Sequence, residues 1–146
     1  MIVAAPVPGT VLPLAGVPDP VFAEAMVGPG LAVRPDPRPG PALAPVGGRV
    51  AVLHPHAFVV EAGGRGVLVH LGLDTVRLGG AGFELLVAVG DTVACGQPVI
   101  RWDPAAVQAG GLSAVCPVVA LDADPGSLSG FAAGVVAAGD PLFSWS

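Results

Sequence analysis

Apolar residues in this chain come in short Val- and Leu-rich runs, each stopped by glycine or proline within a few positions. A helix must fix several residues before its first hydrogen bond closes, so short interrupted runs favour strands. With 22 Gly and 17 Pro, long helices are heavily penalised. The pattern predicts an all-β fold: an antiparallel β-sandwich or barrel-like domain with short helices. Predicted strands are Gly9–Leu14, Leu31–Arg34, Ala42–Ala44, Gly48–Leu53, Ala57–Ala62, Gly66–Gly72, Pro98–Trp102, Leu112–Ala120 and Leu142–Trp145. Predicted short helices are Val21–Met26, Phe83–Leu86 and Pro104–Ala109. The 146 residues are read as one domain, 1–146, long enough to bury a core.

The chain also echoes itself. APVPGTV (5–11) and APVGGRV (44–50) share Ala-Pro-Val, a glycine and a final valine in register. VAVGDTVACGQPVI (87–100) resembles GVVAAGDPLF (134–143), and both are expected to turn at a Gly-Asp corner before a strand. Repeats this short do not make a solenoid. They suit a sandwich built from related halves.

Composition narrows the function. At 53% hydrophobic residues and a mean hydropathy of +0.76, a membrane span is the first reading to test. Pro and Gly interrupt every uncharged stretch, and the first eighteen residues contain four prolines and no basic residue, unlike a signal peptide or an anchor. The chain is expected to be cytoplasmic, without direct membrane insertion. All six basic residues are Arg, and the net charge is −5, which argues against nucleic acid and suits a partner that presents basic groups. Cys95 and Cys116 lack metal-ligand spacing and are expected to be reduced thiols.

The three histidines, His54, His56 and His70, fall within seventeen residues, with AGGRG (62–66) between the two segments as a turn. Side chains alternate along a strand, so an extended 52–60 would put His54, His56 and Phe58 on one face, and Leu68, His70 and Gly72 would share another. A turn centred on Gly63 would set His56 opposite His70, with Cβ atoms about 4.5–5.5 Å apart. A two-residue turn at Gly63–Gly64 would shift that register by one. Opposed imidazoles could hold a phosphoryl group or a metal; the alternative is polar residues on a solvated strand.

The string HPHAFVVEAGGRGVLVHLGLDTVRLGGAGFELLVAVGDTV (54–93) closely resembles the glucose-type IIA domain of the bacterial sugar phosphotransferase system. The likeness extends to residues 5–35, to APVGGRV (44–50) and to PVV (117–119), nearly the whole chain. It implies a phosphocarrier that takes a phosphoryl group from the carrier protein HPr and passes it to the IIB domain of a sugar permease. The resemblance assigns the phosphorylated Nε2 to His70 and a phosphoryl-stabilising role to His56. It has the carbonyl of Gly72 hold the proton on Nδ1 of His70. It sets Asp19 and Asp74 at the rim to meet donor arginines, and Val21, Phe22, Val27 and Leu68 on an apolar docking face. Regulatory target proteins are implied too, and no cofactor is required. The family commonly has threonine where this chain has His54, which is therefore ranked as supporting.

The same residues suggest other chemistries. His54, His56 and His70 could be a zinc set for a β-sheet hydrolase, but the His-xxx-Asp pair that such peptidases carry upstream is missing. The resemblance also allows zinc held by His56, His70 and a partner carboxylate. VAVGDTVACGQPVI looks like a biotinyl or lipoyl hairpin, yet those attach their cofactor to lysine, and this chain has none. The resemblance implies that the permease partner, rather than this domain, selects the sugar (glucose, N-acetylglucosamine or a β-glucoside).

Overall fold

The computed structural model describes residues 1–146. Its strands are β1 (Ile2–Ala4), β2 (Gly9–Pro13), β3 (Gly30–Pro35), β4 (Gly40–Leu43), β5 (Gly48–His54), β6 (Ala57–Ala62) and β7 (Arg65–His70). They continue as β8 (Glu84–Leu85), β9 (Thr92–Val93), β10 (Pro98–Trp102), β11 (Cys116–Ala120), β12 (Leu128–Ser129), β13 (Val135–Val136) and β14 (Pro141–Trp145). Two short helices, α1 (Pro20–Ala23) and α2 (Pro104–Ala109), each begin with proline after an aspartate, Asp19 or Asp103, whose carboxylate caps the first turn. No helix is long and apolar enough to cross a membrane.

Every strand pairing is antiparallel. One large sheet runs β13-β2-β3-β11-β7-β6-β5-β9, and two small sheets run β1-β14-β12 and β4-β10-β8. The main core lies between large and small sheets. Val33, Phe58, Val60, Val67, Val69 and Val118 enter it from the large sheet, and Val3, Phe143, Val99 and Ile100 from the small ones. Each such side chain contributes about 1.5–3 kcal/mol of burial free energy. A second, smaller cluster of Leu14, Val17, Phe22, Ala32, Leu73, Val115 and Val119 covers the other face of the large sheet. Strand alternation separates the two: Val67 and Val69 point into the main core, while Leu68 packs against the second cluster.

The fold is a β-sandwich built as two related halves. Read outward from its centre, the large sheet runs β11-β3-β2-β13 in one direction and β7-β6-β5-β9 in the other. Residues 40–102 form one half; residues 1–35 and 116–145 form its counterpart. Val69 and Val118 face each other at the middle. The echoed segments occupy matching places: a Cβ on Gly9 would lie 2.0 Å from the Arg34 carbonyl oxygen, and one on Gly48 would lie 2.2 Å from that of Glu61. Only glycine lets the backbones approach so closely.

The second echo is corrected by the structure. Ala5 N–H donates to the Asp140 carbonyl at 2.7 Å, and the Ala5 carbonyl accepts from Gly139 N–H at 2.8 Å. In the other half Ala44 makes the same exchange with Gln97 and Gly96, at 2.8 and 2.9 Å. Gly139-Asp140 therefore corresponds to Gly96-Gln97 rather than to Gly90-Asp91. The side chains agree, since Asp140 and Gln97 each accept from the amide three residues back, Ala137 and Ala94.

Three local expectations fail for identifiable reasons. Residues 83–86 are not helical. Three glycines with positive φ, Gly79, Gly80 and Gly82, precede them, and Glu84–Leu85 instead pair with β10. The strand expected from Leu112 begins only at Cys116, because the Ser113 carbonyl is taken up by Leu73 N–H at 2.9 Å. Helix α1 stops at Ala23, short of Met26, with Ala25 in the left-handed region at φ +52°. Strand β1, which joins the chain's two ends through β14, was not legible in the pattern.

Candidate functional site

His70 is the last residue of β7, and His56 lies in the turn Pro55–His56 between β5 and β6. The hairpin at Gly63–Gly64 is the two-residue kind, with φ of +57° and +79°. Ala57 therefore pairs with His70, one residue off the directly opposed register. His56 is not on an extended strand with His54 and Phe58. Phe58 is fully buried in the main core, whereas His56 is half-buried at the surface. The ladder nonetheless continues past the strand, as Leu71 N–H donates to the His56 carbonyl at 2.7 Å. That extra rung brings the rings of His56 and His70 to 5.2 Å between centroids, edge to face at 69°. His54, the exposed last residue of β5, stacks on His56 at 5.8 Å and 20°.

The tautomer of His70 follows from its neighbour. Nδ1 lies 2.6 Å from the Gly72 carbonyl oxygen, which can only accept, so Nδ1 carries the proton and the Nε2 lone pair is free. Gly72 is required for its shape. It sits at φ +81°, and a Cβ there would lie 2.7 Å from Thr75 Cγ2 and 2.8 Å from the Ser113 carbonyl oxygen. Thr75, 1% exposed, donates its hydroxyl to the Leu71 carbonyl at 2.8 Å. With the bonds from Leu71 to His56 and from Leu73 to Ser113, this pins the loop that follows β7. Thr75 was missed in the sequence, although it stands beside Asp74 in LGLDTV.

Burial holds the pKa of His70 below the ordinary value of 6.5, opposed by the Gly72 carbonyl and by the charges of Asp19 and Asp74. The pKa of His56 is lowered as well, first by burial and then by His70 and His54. Both rings are therefore mainly neutral at pH 7. Asp19 is tied to α1, accepting from Val21 N–H at 3.0 Å. Asp74 is exposed in the left-handed conformation, at φ +58°.

The expected apolar docking face is largely filled. Phe22 is only 7% exposed and packs its ring 5.3 Å from that of His70, tilted by 58°. Val27 and Leu68 are half-buried against the second cluster. Val21 alone of the four is open, at 41%, while Met26 and Val76, not singled out in the sequence, are 67% and 64% exposed. The expected four form a wall more than a surface, because the chain between β2 and β3 must bury its own apolar residues.

The zinc-hydrolase alternative fails on geometry. His54 stacks behind His56 instead of converging with it on His70, and no group of three or more His, Cys, Asp or Glu side chains could hold a metal ion. Cys95 and Cys116 are unpaired, and burial pushes the Cys116 thiol up to about 12. Two cavities, of about 320 and 360 Å³, gather around Trp102 and Pro39 and do not touch the histidines. The site is thus an open surface centred on one nucleophilic imidazole, with a second ring beside it.

Comparison with known proteins decides the family. The model of the family described as phosphoenolpyruvate-dependent sugar phosphotransferase system, EIIA 1, matches residues 1–125. The chain belongs to this family. As an EIIA 1 protein it is a component of the sugar phosphotransferase system, with a part in phosphoryl transfer. It is similar to the PTS system glucose-specific EIIA component of Oceanobacillus iheyensis, 40% identical over 125 residues, covering 84% of this chain and 74% of that one. The component of the same name from Staphylococcus aureus is 38% identical over 123 residues, covering 82% and 73%. Glucose permease IIA from Mycoplasma capricolum has the same fold, with a TM-score of 0.90, 34% identity, and coverage of 98% of this chain and 94% of that one. This EIIA fold is the antiparallel sandwich expected from the hydrophobic pattern.

Proposed function

We propose that this chain is a glucose-class IIA phosphocarrier: His70 accepts a phosphoryl group from phosphorylated HPr and passes it to the IIB domain of a sugar permease at the cytoplasmic face. The bond from His70 Nδ1 to the Gly72 carbonyl carries this reading, since it keeps the Nε2 lone pair available. In the transfer, the P–N bond to the donor's histidine breaks as the bond from phosphorus to His70 Nε2 forms. The donor nitrogen regains its lone pair, and Nδ1 keeps its proton. Phosphoryl transfer depends mainly on positioning and on charge stabilisation at the equatorial oxygens. His56, 5.2 Å away between centroids, is suited to hydrogen-bond those oxygens. Asp19 and Asp74 favour a donor that presents arginines, chiefly through orientation and association rate. Zinc is not required; if a partner carboxylate recruited it, His56 and His70 would be the ligands from this chain.

The test is to mix the protein with phosphoenolpyruvate, enzyme I and HPr. One acid-labile, base-stable phosphate per chain is expected. Failure of the native protein to take up label, or undiminished uptake by His70→Ala, would overturn the reading.

A further inference from the structure

Building on the phosphocarrier reading, we propose that His54 is a positioning residue for phosphoryl transfer, acting as a stacked backing plate that fixes the ring plane of His56. His56 makes no side-chain hydrogen bond within the protein, although Leu71 N–H holds its backbone carbonyl. The last side-chain torsion of histidine is broad and soft, so a ring without such a bond samples a range of planes. Two rings bound it here. His70 meets it edge to face at 69°, and His54 lies nearly parallel to it at 20°, with centroids 5.8 Å apart.

The hairpin explains why His54 can do this. His54 and Ala57 flank the turn and pair with each other, so the side chain of His54 leaves the sheet directly beside the turn that carries His56. The His54 side chain is exposed and makes no hydrogen bond, so core packing does not account for an aromatic ring here. Ring shape is what it offers, and His70 reaches His54 only through His56.

The experiment compares His54→Ala, His54→Thr and His54→Phe for phosphoryl uptake from HPr and for forward transfer to IIB. Removing the ring should slow forward transfer about three- to tenfold, the range an aromatic pair can confer, in kcat with KM for the IIB domain unchanged. His54→Phe, which keeps the plane but cannot titrate or hydrogen-bond, should restore the rate. In a His56→Gln background the His54 variants should make no further difference, because positioning through His56 predicts non-additivity. Equal rates in all variants would overturn the proposal, as would a defect equally deep in His54→Phe, or full additivity with His56→Gln. A native protein that takes up no label would instead overturn the phosphocarrier reading, so the two failures are distinguishable.

Discussion

The two halves of the molecule have the same strand plan and opposite chemical endowments. Ala57 pairs with His70 in one half, as Gly30 pairs with Val119 in the other. Leu71 N–H donates to the His56 carbonyl at 2.7 Å, and Ala120 N–H donates to the Pro29 carbonyl at 2.9 Å. The positions of His56 and His70 are thus held by Pro29 and Val119 in the partner half. The connections differ as well. A tight turn at Pro55–His56 leaves the histidines open, whereas residues 14–29 form a long excursion with α1 that buries Val119 completely. That excursion also supplies Asp19 and Phe22 to the histidine of the other half. Duplication supplies the scaffold, and the site arises from its asymmetry.

The comparison breaks most completely if the key position is made alike in both halves. His70→Val should abolish phosphate uptake, and adding Val119→His should not restore it, since that position is 0% exposed beneath the second cluster. Labelling at residue 119 in the double variant would show that the buried half can work after all. Next in size is His56→Gln. It should still accept phosphate yet pass it on roughly 10²–10³-fold more slowly, the cost of losing a preorganised charge-stabilising donor. Normal forward transfer in that variant would remove His56 from the mechanism.

Gly72→Ala tests the loop that has been specialised in the histidine half. A positive φ and two contacts under 3 Å should cost roughly 2–4 kcal/mol of stability, from backbone strain and overpacking. Uptake should fall with it, because the carbonyl that fixes the tautomer moves. A urea midpoint unchanged from the native protein would show that the loop adapts freely. The smallest effect concerns pH. Both His56 and His70 have pKa values held below 6.5 in the fold, so the unfolded chain binds protons more readily. Their contribution to stability is full above about 6.5 and is lost as pH falls through the lowered folded values. Urea midpoints should therefore decline on acidification, and decline less in His56→Gln/His70→Gln. Parallel declines would place the acid sensitivity elsewhere.

Much of this was written in one dimension. Short apolar runs broken by glycine and proline determined an antiparallel sandwich, because burial periodicity and helix nucleation act locally. The grouping of His56, His70, Gly72 and Asp74 was legible because all four fall in one short stretch of chain, whereas Asp19, far upstream, entered only through the family resemblance. Three things needed tertiary structure. The register was off by one, since parity could not tell whether Gly63 or the pair Gly63–Gly64 makes the turn. Phe22 reads as a docking residue until packing buries it against His70. His54, a departure from the family pattern in sequence, becomes a ring stacked on His56 only when the turn at Pro55–His56 folds it there. Composition and spacing settle which residues are near a strand or a turn. Which side chains meet depends on long-range pairing, and that is decided by burying the two faces of the large sheet together.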